Sequence, residues 1–142
     1  MIDTRTAPYG AFLLRVSLGL MLFAHGFFLK VLTFGFAGTV GYFESIGYPG
    51  FFAYLVIFGE IFGGIALMLG VWTRYVAILA LPILIGATLQ HLGNGWVFSS
   101  ANGGWEYPAF WTVALVAQAL LGDGAFALGS NLASPRTATA RA

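Results

Sequence analysis

Four stretches of this chain are long, apolar and nearly free of charge, and they decide what it can become. A helix needs about 20 mostly apolar residues to cross the hydrocarbon layer of a bilayer. The runs at residues 11–29, 51–69, 75–92 and 107–121 meet or approach that length. In lipid every backbone N–H and C=O must be satisfied within the protein, so each run is expected as an α-helix. The loops and tails left over in these 142 residues are too short for a soluble catalytic domain.

Composition agrees. Only 8% of the residues are charged, against about 25% in a soluble domain. Apolar residues make up 59%, and the mean hydropathy is +0.88. A soluble enzyme and a disordered chain are both excluded. The net charge of +1 gives no basic field to hold nucleic acid. Cysteine is absent, which removes disulfides, thiolate nucleophiles and Cys-ligated zinc or iron–sulfur clusters from this chain. The first run has the length of a signal-peptide core. It carries Arg15 and His25, however, and no small-residue cleavage site follows, so it reads as a span.

The expected architecture is an all-α membrane bundle of four transmembrane helices, one domain over residues 1–128. Arg5, Arg15, Arg74, Arg136 and Arg141 fall on the side that holds both termini, and only Lys30 falls on the other. The excess of basic residues places the termini in the cytoplasm. The loop at residues 70–74 is so short that the second and third spans must form a hairpin. Between the first two spans, Phe36, Val40, Phe43 and Gly47 form one helical stripe, with Gly47 and Pro49 as the stop. A short amphipathic helix on the outer surface or over the bundle mouth is predicted. Phe126–Leu128 is a candidate extension of the fourth span, and residues 129–142 read as a disordered cytoplasmic tail.

Ionisable residues within spans are costly unless paired or wet, and so are functional candidates. Glu60 sits near the middle of its span, among Gly63, Gly64 and Ala53, so it is expected to face another helix. Arg15, with Gly19 and Gly26 on its face, is its leading candidate for a buried ion pair. Such a pair either serves chemistry or only fixes helix register. His25 and His91 fall in the outer half, near Asn94, Asn102 and Glu106. Two histidines and a carboxylate are able to bind a metal, and two histidines a haem. The spacing lacks an H-x-x-x-H pattern, which weighs against both. The alternative is that the histidines bond loop carbonyls or Glu106. Pro82 is expected to kink the third span and widen the bundle near Glu60. Glu106 is expected to cap the fourth span, and Pro108 fits its first turn. The ligand-binding candidates are His25, Glu60, His91, Asn102, Trp105, Glu106 and Tyr107, with His25, His91 and Glu106 as the weak metal set.

The pattern resembles the DoxX family of small bacterial membrane proteins. The carrying residues are Leu14-Arg15, His25-Gly26 and Lys30, then Gly47-Tyr48-Pro49, Gly59-Glu60-Ile61-Phe62-Gly63-Gly64 and Leu69-Gly70-Val71-Trp72-Thr73-Arg74. His91 and Asn102-Gly103-Gly104-Trp105-Glu106-Tyr107 complete them. The resemblance runs from about Leu13 to Leu121 and weakens beyond. It implies a four-helix bundle in the bacterial inner membrane and ties to quinone-linked or thiol-stress redox complexes. It supplies no agreed catalytic residue set.

Three functions stay open. One is a subunit of a redox-associated complex that binds a quinone-like or other lipophilic ligand in the outer half of the bundle. No nucleotide fingerprint or thiol is present, so electrons would come from a partner or bound cofactor. The second is a non-enzymatic anchor or assembly partner for a soluble oxidoreductase. The third is a small transporter, which would need a homo-oligomer to enclose a path.

Overall fold

Pro8 near the start of α1 (Ala7–Phe23) suits the first turn, where a missing amide N–H costs no intrahelical bond. The helix does not stop at Phe23. It widens into a π-helical stretch, Ala24–Thr33. The Phe34 amide closes the last of these turns on the Leu29 carbonyl at 3.0 Å. In the computed structural model, which describes residues 3–129, this continuous rod covers 27 residues, longer than the 11–29 span expected. The chain turns at Gly35 (φ 72°) into α2 (Gly35–Ser45), the short helix that the Phe36–Val40–Phe43 stripe predicted. Thr39 is the buried residue of α2, and its one O–H is shared between the carbonyls of Gly35 and Lys30, both at 3.0 Å. Phe36 stacks on Tyr54, which lays α2 along the next helix.

That helix, α3 (Phe51–Leu69), has the bounds expected. It ends at Gly70, whose φ of 69° is a left-handed conformation open to glycine. After the short turn, α4 (Thr73–His91) returns and closes in a 3-10 turn, Leu92–Asn94. It runs unbroken through Pro82, which lies on its outward surface. The last helix, α5 (Glu106–Leu121), packs along α4. Among the described residues there is no strand.

Three helices are long and apolar enough to cross a membrane: Ala7–Thr33, Phe51–Leu69 and Thr73–Asn94. With 16 residues α5 is shorter. It extends about 24 Å against a hydrocarbon layer of about 30 Å.

Lipid tails are as apolar as leucine, so helices in a bilayer associate through close contact and polar bonds. The α1–α3 seam shows how. A Cβ on Gly19 would lie 2.7 Å from the Gly64 carbonyl oxygen, and one on Gly64 2.6 Å from that of Gly19. Leu18, Leu22, Leu67, Ala77, Leu84, Trp111 and Leu115 fill the centre of the four-helix bundle.

Residues 122–129 do not extend α5 as Phe126–Leu128 suggested. Gly122 (φ 80°) breaks the helix, and the chain crosses the end of the bundle. The amides of Ala125, Leu128 and Gly129 donate to the carbonyls of Pro8, Leu69 and Gly70. Phe126 packs on Tyr9 and Phe12. Gly129 is therefore tied down, and the remainder of the expected disordered tail lies outside the described residues.

Candidate functional site

Gly26 carries the π-helical stretch directly onto Glu60: a Cβ there would meet the Glu60 Cβ at 2.9 Å. Glu60 is the tenth residue of the 19 in α3, about 14 Å from either end. It is buried, and its partner is not Arg15. The Lys30 ammonium donates to both carboxylate oxygens, at 2.9 Å and 2.7 Å. The two side chains are 17% and 6% exposed. Every strong acceptor of Glu60 thus meets a cation at mid-depth, which is what permits the charge to reside there.

Arg15 is fully buried at the other end of the seam. Its Nη1 donates to the carbonyls of Leu67 (2.8 Å) and Met68 (3.0 Å), and its Nη2 to that of Ala125 (3.0 Å). The physical reason for the correction is depth. Arg15 is level with the last turn of α3, where carbonyls have no intrahelical donor and the helix dipole favours a cation. Leu67 is seven residues from Glu60, about 10 Å along the axis. Lys30, expected at the outer rim, instead rides on the extended helix over Glu60.

His25 turns to a different neighbour. Its Nδ1 lies 3.0 Å from the Met21 carbonyl of its own helix. That contact assigns the proton to Nδ1 and leaves Nε2 as an acceptor. The ring sits edge-on to Trp111, centroids 5.0 Å apart, and 6.3 Å from the Tyr107 ring. Trp111 is 4% exposed, and its indole N–H has no acceptor among the described residues. A buried donor without a partner is costly and calls for an explanation.

His91 belongs to a third group. Its Nδ1 is 3.0 Å from the Gly103 carbonyl, and Asn94 donates to the carbonyls of Asn102 and Gly103. Asn102 (φ 64°) and Gly103 (φ 80°) turn the loop back here. Trp105 packs edge-on to Trp96 at 4.5 Å. Glu106 does not cap α5. It accepts the Phe98 amide at 2.8 Å and so staples the loop across itself.

The seven ligand candidates are therefore three sets rather than one pocket. Glu60 is paired with Lys30, His25 and Tyr107 meet at Trp111, and His91, Asn102, Trp105 and Glu106 shape the loop. No group of three His, Asp or Glu among the described residues is arranged to hold a metal ion, so His25, His91 and Glu106 are not gathered as a ligand set. Lys30 and Trp111 are the residues the sequence reading missed. Trp111 had a signal, lying four residues from Tyr107 on the same helical face, whereas Lys30 had none, because the apolar run stops just before it.

An all-helical bundle with apolar rods of spanning length and an ion pair at mid-depth defines an integral membrane protein. The DoxX family model matches residues 10–93, more than half of the sequence, and the chain belongs to that family. It is 41% identical over 80 residues to the protein named "Putative oxidoreductase CatD" of Bacillus subtilis (strain 168), covering 56% of this chain and 58% of that one. It is 48% identical over 44 residues to "Inner membrane protein YqjF" of Escherichia coli (strain K12), covering 31% of this chain and 34% of that one. The chain thus matches a little over half the length of the first relative and about a third of the second. No solved structure matches it.

Proposed function

We propose that this DoxX-family protein is the membrane component of a redox system and holds a quinone-like, lipophilic ligand beside His25, Tyr107 and Trp111. The observation that carries this reading is the buried indole N–H of Trp111 without an acceptor, next to an imidazole whose free nitrogen is an acceptor. Together they present one donor and one acceptor within an apolar, aromatic wall. A carbonyl oxygen accepts a hydrogen bond from the Trp111 indole N–H, and the corresponding hydroxyl donates one to His25 Nε2. Apolar surface supplies affinity, and the two polar groups supply orientation. Histidine is also a group that exchanges protons near neutral pH. The name of the Bacillus relative supports a redox setting. The chain has neither a thiol nor a nucleotide fingerprint, so electrons come from a partner or a bound cofactor.

The proposed setting is the bacterial inner membrane, one bundle domain, both termini cytoplasmic and the His91–Tyr107 loop outside. The test is extraction of the detergent-purified protein for bound quinone, alongside quinone titration read by tryptophan fluorescence. His25→Ala and Trp111→Phe are expected to lose binding, and Phe110→Leu, on the outward face of α5, to keep it. Equal binding by all three variants refutes the site. A second reading, an anchor for a soluble oxidoreductase, is favoured by one observation: Asn94, His91 and Glu106 all serve to hold a rigid outer loop. A purified bundle without quinone that retains a tight protein partner would favour it.

A further inference from the structure

Opposite the proposed site, the α3–α4 turn and the end of α5 enclose a cleft of about 480 Å³, lined in part by Trp72, Thr73, Arg74, Tyr75, Gly122 and Asp123. We propose that it binds the headgroup of an amine-bearing phospholipid, with the phosphate on Thr73 and Arg74 and the ammonium on Asp123. Nothing in this proposal depends on the ligand assigned to His25 and Trp111.

The phosphate half rests on donors. Thr73 is the first residue of α4, is fully buried, and its hydroxyl has no partner among the described residues. The first amides of a helix lack intrahelical acceptors. Trp72, in the left-handed region at φ 50°, gives them no side-chain cap. Arg74 reaches across the cleft: a Cβ on Gly122 would lie 3.5 Å from its Nη2. A hydroxyl, uncapped amides on the positive end of a 19-residue helix and a guanidinium are complementary to a phosphate diester.

The ammonium half rests on Asp123, which lines the cleft and forms no salt bridge among the described residues. A bare anion meets repulsion from this carboxylate. A headgroup with a primary ammonium beyond its phosphate satisfies both ends, whereas choline has no N–H to donate and glycerol has no charge. The depth also fits a lipid. Trp72 and Tyr75 are 73% and 69% exposed beside the cleft, and aromatic rings of this kind settle at headgroup level.

The test uses the full chain in dodecyl maltoside. Retention of phosphatidylethanolamine, phosphatidylcholine and phosphatidylglycerol is compared by native mass spectrometry, with a thermal shift in inorganic phosphate as a fourth arm. Phosphatidylethanolamine is expected to be retained about tenfold better than the other two, the equivalent of one charge-assisted hydrogen bond. Arg74→Gln is expected to weaken retention of all three. Asp123→Asn is expected to erase only the preference. Thr73→Val is expected to lose retention that Thr73→Ser keeps, and the exposed Arg74 and half-exposed Asp123 carry the test should Thr73→Val not fold. Equal retention of the three lipids overturns the proposal, as does full stabilisation by inorganic phosphate, which would make the source a free anion. Binding that appears only after removal of residues 130–142 also overturns it, because the cleft would then belong to the chain's own end.

Discussion

Replacing Lys30 with methionine strips Glu60 of the cation that neutralises it. With Nζ 2.7 Å and 2.9 Å from the two oxygens, the attraction is about 6 kcal/mol at an effective dielectric of about 20. Burying two ions costs several kcal/mol each, so the intact pair contributes about nothing net. Losing one partner is different, because the other is left buried and unpaired, at a cost of about 3–5 kcal/mol. Lys30→Met and Glu60→Met should therefore each lower stability by that amount. The double variant, apolar at both positions, should lose much less than the sum, leaving a coupling of at least about 2 kcal/mol. SDS-driven unfolding in mixed micelles, followed by circular dichroism, measures all four corners of the cycle. A parallel cycle with Arg15→Leu and Glu60→Met should be additive within about 0.5 kcal/mol, since those residues share no partner. Additivity at Lys30–Glu60, or coupling at Arg15–Glu60, would refute the pairing described here.

Arg15→Leu should destabilise the protein by at least about 3 kcal/mol, because three carbonyls lose a charged donor, and should speed hydrogen exchange at residues 122–129 ahead of the rest. Gly64→Val should separate α1 from α3, since its Cβ has no room against the Gly19 carbonyl; a cysteine crosslink between Leu18 and Leu67 variants should form more slowly in that background. Reporter fusions after Trp72 and after residue 142 should both report cytoplasm, and one within residues 94–104 the outside; an external C-terminal reporter would overturn the topology.

Three of the four long helices were legible because the bilayer leaves little choice of length or backbone. Residues 51–69 were placed without error, with Gly70 as a visible stop. Gly47 and Pro49 likewise fixed the end of α2. The partners of the charges were harder. The apolar run stops at Leu29, and that put Lys30 in a loop. A π-helical turn leaves no mark in the apolar pattern, so neither the added length nor the contact with Glu60 was counted. Arg15 was matched to Glu60 by their glycine-lined faces, a comparison of side chains that ignored the bare carbonyls ending α3. The return of residues 122–129 across the bundle depends on backbone bonds to Pro8, Leu69 and Gly70, which composition does not encode.

The wide turns from Ala24 to Thr33 set a phase. In an α-helix each residue advances about 100° around the axis, so a slip of a single residue swings everything beyond it by more than a quarter turn. Lys30 lies beyond most of the stretch, and α2 hangs from its carbonyl through Thr39. The grip of Lys30 on Glu60 is thus a pawl on a gear. While it is engaged, α2 is held against α3 through Thr39 and Phe36.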